Sequence, residues 1–254
     1  MNNVPQHIGV IMDGNRRWAK AHGLSILAGH RKVVDDVLEP LIEHAAKRGV
    51  KYLTFWAWST ENWKRDRREV QGIMRLFKKN LRKRGNRLQE KGIRVRIIGD
   101  IATFDPELQK LLCELVEKTK HNTVITVVFA LNYGGRDEII RAMNKAISYQ
   151  LLASLEHRRS GSAIRQGIRE DKDIVSEDWR LTTDDFVNLL DTSGIPDPDL
   201  IVRTGGEERL SGFLLWQSEY SEFYFPKWFM PEFTPERLDE SMEEYAKRKR
   251  RYGG

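Results

Sequence analysis

The stretch His7–Lys20 reads HIGVIMDGNRRWAK and joins an apolar segment to a polar turn. Its first part, His7–Met12, is an almost unbroken apolar run, which is typical of a strand buried on both faces. Asp13 and Gly14 open the turn, because Asp-Gly-Asn favours turns over regular structure. Two adjacent arginines follow. A buried strand that ends in a carboxylate and two guanidiniums predicts a functional site at the edge of a sheet.

Strand-like and helix-like segments alternate along the rest of the chain. Apolar runs predict strands at His7–Met12, Tyr52–Ala57, Val95–Ile98, Val124–Leu131 and Leu200–Val202. Helical spacing of apolar residues predicts helices at Gly29–Arg48, Glu69–Lys91, Pro106–Lys120, Gly135–Ile147 and Thr183–Leu190, and a last helix from Thr234. We expect an α/β fold with a central, mainly parallel sheet surrounded by helices, because such alternation produces one. Residues 1–254 are expected to form a single domain, with a polar, exposed or mobile insertion at 154–178.

The composition bounds the class of protein. The chain has 254 residues, is 40% hydrophobic and carries a formal net charge of +6, so it can bury a core and has a mild preference for anionic partners. Its single cysteine, Cys113, excludes an intrachain disulfide, and its apolar neighbours predict a buried, inert thiol. No signal peptide is recognisable, and no apolar run reaches the roughly 20 residues of a membrane span. We expect a soluble, cytoplasmic protein.

Four of the predicted strands are followed by residues of the same few types, mainly Arg, Asn, Ser and Gly. They are Asp13-Gly14-Asn15-Arg16-Arg17, then Ser59, Asn62, Trp63 and Arg65, then Asn132-Tyr133-Gly134-Gly135-Arg136, and finally Arg203, Arg209 and Ser211. Arginine binds phosphate oxygens bidentately, and glycines allow backbone N–H groups to approach an anion. Open α/β sheets bind ligands where the carboxyl ends of their strands meet. Each cluster alone is also typical of an ordinary turn or helix cap, but together they predict a polyphosphate site.

A bound diphosphate needs a divalent cation, and two carboxylates are candidates to hold it. Asp13 lies among arginines, and Glu222 lies in the apolar run SEFYF. Mg²⁺ is commonly held by one or two carboxylates together with substrate phosphates. The spacing equally fits a turn-capping role for Asp13 and an outward-facing strand position for Glu222.

Six segments of the chain resemble, in order, the motifs of the cis-prenyltransferases, the undecaprenyl and dehydrodolichyl diphosphate synthase family. They are HIGVIMDGNRRWAK, GHRK, FWAWSTENWKR, ALNYGGRDEI, PDPDLIVRTGGEERLSGFLLWQSEYSEFYF and the terminal RRYGG. The resemblance implies an obligate dimer and an Mg²⁺-dependent condensation of isopentenyl diphosphate with an allylic diphosphate primer, farnesyl or geranylgeranyl diphosphate. The implied products are a Z-polyprenyl diphosphate and pyrophosphate.

The resemblance also implies roles for individual residues. Catalysis is implied for Asp13, Ser59 and Asn62. Binding of the allylic diphosphate is implied for Gly14, Asn15, Arg17, His30 and Arg65. We expect three adjacent residues, Arg16, Trp18 and Trp63, to contribute to substrate binding. Binding of isopentenyl diphosphate is implied for Arg203, Arg209 and Ser211, and metal binding for Asp13 and Glu222. Arg251 and Gly253, in the C-terminal Arg-x-Gly, are implied to reach the site of a partner subunit.

Four positions depart from the bacterial pattern of that family. Glu208 and Gly212 stand where bacterial members often have histidine and asparagine. Arg16 stands where bacterial members have glycine, and Ile26 stands where many have a second arginine. We therefore expect the contacts to the allylic diphosphate to be rearranged, with Arg16 compensating for the arginine that is absent at position 26. These departures favour the archaeal or eukaryotic side of the family.

An apolar product needs a hydrophobic tunnel. We expect its walls on the second and fourth strands and the long helix, at Trp56, Trp58, Phe77, Leu81 and Phe129. The bulk of the two tryptophans predicts a restricted floor, and plain core packing is the alternative. The basic side chains of the long helix fit either a solvated face or peripheral contact with an anionic membrane.

Three other functions explain less of the sequence. A non-catalytic partner subunit of the same family would lose catalytic residues, whereas this chain keeps Asp13 and Asn62. A nucleic-acid-binding protein would place several aromatics among the basic residues of the long helix, where we find only Phe77. A trans-type prenyl synthase would use Asp35 and Asp36, but such enzymes are all-helical. We expect an active enzyme, a homodimer that does not bind nucleic acid.

Overall fold

The structure is a computed structural model that describes residues 4–161 and 180–248, with side chains for residues 4–151 and 180–248. The strands in these ranges are β1 (His7–Ile11), β2 (Tyr52–Ser59), β3 (Ile93–Ile98), β4 (Ile125–Tyr133), β5 (Leu200–Arg203) and β6 (Glu222–Tyr224). The helices are α1 (Asn15–Ala21), α2 (Ile26–Lys32), α3 (Leu38–Arg48), α4 (Arg67–Glu90), α5 (Pro106–Thr119), α6 (Gly135–Gly161), α7 (Thr183–Leu189) and α8 (Pro235–Ala246).

The six strands form one parallel sheet in the order β3-β4-β2-β1-β5-β6. This confirms the expected α/β fold with a central parallel sheet. All five predicted strands are present, and β6 is an addition because its three residues are too short to show a pattern. The order places β1 at the centre, so the turn that follows it lies between the turns after β2 and β5.

The apolar faces of the helices and strands explain where the core lies. One buried cluster joins α3 and α8 to the central strands, for example through Leu41, Leu238 and Val10. A second cluster joins α4 and α5 to β2 and β4 through Ile73, Leu112 and Trp58. Helices therefore cover the sheet, and the space between α3, α4 and the sheet is lined by apolar side chains.

The helix predicted at Gly29–Arg48 is distorted before its proline. It begins at Ile26, and a π-helical turn at Val33–Val37 separates α2 from α3. Pro40 has no N–H, and its ring clashes with the carbonyl group four residues earlier, so the backbone widens there. The proline thus interrupts the helix through a π turn that precedes it.

The described chain divides into two compact units, one from residues up to Gly135 and from Pro196 onward, the other from Arg136–Ile195. In the second unit, both Nη atoms of Arg141 on α6 donate to Asp191, at 2.7 and 2.6 Å. The helix predicted at Gly135–Ile147 continues to Gly161, so the predicted insertion begins as helix, and its residues 162–178 lie outside the described ranges. The single domain of residues 1–254 stays a prediction.

Cys113 is exposed, so the expectation of a buried thiol is wrong. The buried face of α5 consists of Leu108, Leu112, Leu115 and Thr119. Cys113 follows Leu112 by one residue, which turns it about 100° away from that face, given 3.6 residues per helical turn. Within the described ranges, no helix combines the length and the hydropathy that a bilayer crossing requires.

Candidate active site

Asp13 is fixed by hydrogen bonds to Thr204, which follows β5, and to Met230. Its backbone N–H donates to Thr204 Oγ1 at 2.9 Å, and the Thr204 hydroxyl donates to the Asp13 carbonyl at 2.6 Å. The N–H of Met230 donates to the same carbonyl at 3.0 Å. Because the N–H and the carbonyl of Asp13 are both hydrogen-bonded, its side chain leaves the sheet edge in a defined direction.

The Asp13 carboxylate lies between two arginines from different strand ends. Oδ2 accepts from Arg203 Nη2 at 3.0 Å, and Oδ1 lies 3.2 Å from Arg17 Nη2. The N–H of Gly14 also donates to Oδ1, at 2.6 Å. The side chain is 29% exposed, so one side of the carboxylate remains open to a ligand.

Gly14 is required by its conformation and by its surroundings. Its φ of +96° is in the left-handed region, and an added Cβ would lie 2.5 Å from Phe229 Cδ1. The Phe229 ring also lies under the Arg17 guanidinium, 5.3 Å from ring centroid to Cζ. The aromatic ring thus sets both the path of the turn and the position of Arg17.

A second group of basic side chains surrounds His30. Arg65 Nη1 lies 3.2 Å from Glu69 Oε1, and Arg16 Nη1 lies 3.9 Å from Glu69 Oε2. Burial of the imidazole, followed by the charges of Arg65 and Arg16, lowers the pKa of His30 to about 4. His30 is therefore neutral at pH 7, and its Nε2 is buried without a hydrogen-bond partner among the described residues.

Close packing of α2 on α1 places His30 at this position. A Cβ on Gly29 would lie 2.1 Å from the backbone oxygen of Asn15, so only glycine allows this approach. Asn15 donates from Nδ2 to the Met12 carbonyl at 3.3 Å, and its Oδ1 is buried without a partner in the described ranges. Unpaired buried polar atoms are unfavourable, so these two on neighbouring helices indicate a place for a polar ligand.

The polar residues after β2 form a short turn. The N–H of Ser59 donates to Asn62 Oδ1 at 3.1 Å, and Trp63 Nε1 donates to Asn132 Oδ1 at 2.8 Å. The latter bond links the turn after β2 to the last residues of β4, which the sequence placed at one edge. Trp18 on α1, another of the predicted substrate-binding residues, stacks on His22 with 4.3 Å between ring centroids.

Arg203 connects the end of β5 to the loop that follows it. Its residue is 5% exposed, and Nη1 donates to Ser211 Oγ at 2.9 Å and to the Arg209 carbonyl. The Arg209 guanidinium turns to Glu207, with 2.6 Å between Nη1 and Oε2. Glu207 also reaches Arg17, with 3.4 Å between Oε1 and Nη1. The structure therefore joins Arg203, Ser211 and Asp13, while Arg209 is mostly exposed at the rim.

A cavity of about 440 Å³ extends from this polar edge along the sheet. Its mouth is lined by Asp13, Gly14, Asn15, Arg16, Arg17, His30, Asn62 and Arg65, and most of its interior by apolar side chains of α3, α4, α5 and the sheet. All five side chains predicted as walls line it, namely Trp56, Trp58, Phe77, Leu81 and Phe129.

The two tryptophans lie near the mouth of the cavity and do not form its floor. Trp56 is in register with Ile11, two residues before Asp13. Arg65 lies over the Trp58 ring, 5.7 Å from its centroid. The prediction of a tryptophan floor fails because β2 presents these side chains at its carboxyl end.

The structure does not bring Glu222 to Asp13 within one chain. Glu222 begins β6 in register with Leu200, which pairs with Ile8 near the start of β1. Asp13 follows the other end of β1, and Glu222 Oε2 forms an ion pair with Arg248 at 2.8 Å. The prediction that the two carboxylates share a metal is therefore corrected for a single chain. Arg251 and Gly253 lie outside the described residues.

Sequence reasoning missed several residues of this site. Thr204 fixes Asp13, Phe229 fixes Gly14, and Glu69 and Glu207 pair with the arginines. Glu69 is four residues after Arg65 at the start of a helix, and this spacing was a usable signal. The contacts of Thr204 and Phe229 depend on long-range packing, for which the sequence offers no local pattern.

Comparisons with known proteins identify relatives of this chain. A family model described as putative undecaprenyl diphosphate synthase matches residues 11–253. An isoprenyl transferase of Rhizobium meliloti is 44% identical over 252 residues, which are 99% of this chain and 93% of that protein. Since this relative is bacterial, the comparison does not support the expected placement on the archaeal or eukaryotic side of the family.

Two solved structures are similar over almost the whole chain. The lavandulyl diphosphate synthase of Lavandula x intermedia, in complex with dimethylallyl diphosphate, is 30% identical with a TM-score of 0.81, and the match covers 99% of each chain. A probable undecaprenyl diphosphate synthase of Campylobacter jejuni is 29% identical with a TM-score of 0.76, and the match covers 100% of each.

Proposed function

Because this chain belongs to the undecaprenyl diphosphate synthase family of prenyltransferases, and is thus a transferase that elongates prenyl chains, we propose a specific reaction for it. It condenses isopentenyl diphosphate with farnesyl or geranylgeranyl diphosphate, and it adds further units with Z double bonds. Each cycle releases one pyrophosphate.

The observation that carries this proposal is the division of the cavity into a charged mouth and an apolar interior. Three arginines, Arg16, Arg17 and Arg65, lie at the mouth, where a diphosphate would bind. The apolar interior suits an isoprenoid tail, because burial of apolar surface is favourable by about 25 cal/mol per Å². An allylic diphosphate has both parts in one molecule.

The residues at the mouth would act on the charge that develops in the reaction. Cleavage of the allylic C–O bond places negative charge on the departing pyrophosphate and positive charge on carbon. Arg17 and Arg65 stabilise the former, and the neutral His30 offers a polar nitrogen without adding to the repulsion between guanidiniums.

The second substrate is assigned to the end of β5. Arg203, Arg209 and Ser211 hold isopentenyl diphosphate so that its double bond faces the allylic carbon. A new C–C bond forms between the double bond and that carbon, and a proton then leaves the carbon next to the resulting cation. The released pyrophosphate accepts it, because its oxygens are already at the mouth.

The donor set suits a magnesium ion held jointly by protein and substrate. No cluster of three or more His, Cys, Asp or Glu side chains that could hold a metal occurs within the described ranges. Asp13 offers a partly open carboxylate beside the proposed diphosphate site, and one carboxylate with substrate phosphates is a common way to hold Mg²⁺. When bound, the ion would neutralise charge on the leaving pyrophosphate.

Self-association is part of the proposal, and α6 supports it. Four large apolar side chains on one face of this helix, Ile140, Met143, Ile147 and Leu151, are 46–56% exposed. Contiguous exposed apolar surface marks interaction sites, and a homodimer would bury it. Light scattering should give twice the chain mass for the wild type and for Ser148→Glu, but the single-chain mass for Ile147→Glu. A monomeric wild type would refute the dimer.

The basic face of α4 gives little support for contact with an anionic membrane. Lys78 forms ion pairs with Asp105 and Glu107, and Arg82 forms one with Glu107. These carboxylates neutralise much of the charge that would attract acidic lipids. We therefore leave membrane contact out of the proposal.

Incubation with labelled isopentenyl diphosphate tests the reaction. Purified protein, Mg²⁺ and, separately, C10, C15 and C20 allylic diphosphates should give butanol-extractable products in a ladder of isoprene units. EDTA should abolish the ladder and added Mg²⁺ should restore it. Absence of product with every primer would refute the proposed function and favour a non-catalytic partner subunit.

A further inference from the structure

Two charged side chains, Glu39 and Arg84, line the cavity away from its mouth. Arg84 lies on α4, which begins beside the mouth at Arg67. Seventeen residues separate the two positions, so Arg84 lies roughly 25 Å along the helix, at a rise of about 1.5 Å per residue. Their neighbours in the lining, Gly85 and Leu88, also belong to the last turns of α4. The pair therefore lies at the end of the cavity opposite the diphosphate site.

The pair joins the two helices that enclose this end. Arg84 Nη1 donates to Glu39 Oε2 at 3.1 Å, and Nη2 donates to the Asp35 carbonyl at 2.8 Å. Asp35 belongs to the π turn and Glu39 to the first turn of α3. Arg84 thus binds both the π turn and the first turn of α3 and ties them to α4.

The wall is buried and charged. Glu39 is only 9% exposed and has further ion pairs with Arg87, at 2.6 Å, and with Lys91. Nε of Arg84 is buried without a partner among the described residues. An apolar chain cannot replace these charge interactions, and separating the partners of a largely buried ion pair is unfavourable. A growing tail therefore meets a barrier here.

We propose that the Glu39–Arg84 ion pair is the end wall of the cavity and limits the number of isoprene units in the product. This inference rests on the proposed function, because it concerns the tail of the same product. The pair is a specificity determinant and takes no part in bond formation, which occurs at the other end of the cavity.

Two substitutions at this end should change product length in opposite directions. Arg84→Ala removes the wall while Glu39 keeps Arg87 and Lys91, so products should lengthen by at least one isoprene unit. Gly85→Leu should shorten them by at least one unit. Its Cβ would contact only Leu115 Cδ1, at 3.7 Å, so the helix has room for a side chain that extends into the cavity.

Arg87→Ala is the matched control. Arg87 also pairs with Glu39, but the cavity lining does not include it, so its loss should leave the product ladder unchanged. The rate of the first condensation should stay within twofold of wild type in all three variants. Thermal unfolding by circular dichroism verifies that each is folded, and Arg84→Met replaces Arg84→Ala if the latter does not fold.

The ladders from thin-layer chromatography decide between outcomes. Longer products from the Arg84 variant and shorter products from Gly85→Leu support the wall. Unchanged ladders in both, or an equal change in Arg87→Ala, would overturn it while leaving the proposed reaction intact. No ladder from the wild type would refute the reaction itself, and the wall's role with it.

Discussion

The guanidinium of Arg203 donates from Nη2 to the carboxylate of Asp13 at 3.0 Å, across 190 residues of sequence. This bond joins the ends of β1 and β5, which pair in register at Ile11 and Arg203. The same carboxylate contacts Arg17 on its other oxygen. Asp13 is therefore the point where the two proposed diphosphate subsites meet.

Replacement of Asp13 should impair turnover far more than binding. We expect Asp13→Ala to lower kcat by more than 100-fold at saturating Mg²⁺, in line with roughly 10²–10³ for one group that stabilises transition-state charge. Asp36→Asn, which alters an exposed carboxylate, is the control and should leave kcat unchanged. Steady-state kinetics measure both, and a near-normal kcat for Asp13→Ala would exclude the assigned role.

Gly14→Ala should destabilise the protein more than the same change at a glycine with open surroundings. Gly14 and Gly49 have similar φ values, +96° and +93°, so each loses about 1–2 kcal/mol from a left-handed backbone. Only Gly14 adds a clash, with Phe229, whereas nothing lies within 4 Å of a Cβ on Gly49. Denaturant unfolding compares the two variants. Equal losses would mean that Phe229 does not constrain the turn.

Substitutions of Asn62 distinguish a structural role of this residue from a catalytic role. Its Oδ1 accepts from the Ser59 N–H, and Asn62→Asp retains that acceptor while it removes the amide donor. We expect the free energy of unfolding of Asn62→Asp to lie within about 0.5 kcal/mol of the wild-type value. Substitutions that remove no core contact, cap or buried hydrogen bond usually stay within that range. Its kcat should fall at least tenfold.

Asn62→Ala should lose activity and also about 1 kcal/mol of stability, because the acceptor is gone. Thr182→Ala removes a similar acceptor in the second compact unit and should lose stability alone. An Asn62→Asp enzyme with full activity would show that Asn62 only shapes the turn.

Buried histidines should make stability depend on pH between about 4 and 6.5. Burial is the main cause that lowers the pKa of His7 to about 4, and its Nδ1 donates to the Pro196 carbonyl at 2.6 Å. The unfolded chain therefore binds a proton in this range that the folded chain does not, so the free energy of unfolding decreases as pH falls from 6.5 to 4. The contribution of His7 is about 3 kcal/mol.

His7→Gln should make the free energy of unfolding less dependent on pH in this range. The dependence that remains is the contribution of His30, whose pKa is also lowered to about 4. His121→Gln changes an exposed histidine and should leave the slope as in wild type. Urea unfolding at several pH values measures the slopes. Identical slopes for wild type and His7→Gln would refute the assignment.

The sequence predicted the sheet well because buried parallel strands have a strong local signature. Runs such as HIGVI and ITVVFAL are apolar, β-branched and bounded by turns, and both form strands. Sequence order also placed Asp13 and Arg203 at one edge of the sheet, since consecutive parallel strands end on the same side. The bond between them could not be predicted, because it depends on the pairing of β1 with β5.

Other features depended on contacts that have no local pattern. The pairing of β6 with β5 placed Glu222 at the edge opposite Asp13. Cys113 was expected to be buried because its neighbours are apolar, but its helical phase faces outward. The Glu39–Arg84 wall joins helices that are distant in sequence, so only the structure reveals it.

A crystal structure with a thio analogue of farnesyl diphosphate, whose allylic bond resists cleavage, tests the central claim most directly. We predict its diphosphate at Arg17, Arg65 and His30, and its tail in the cavity beyond Trp58, directed toward the Glu39–Arg84 wall. A tail outside the cavity, or a diphosphate that contacts none of these three residues, would contradict the account.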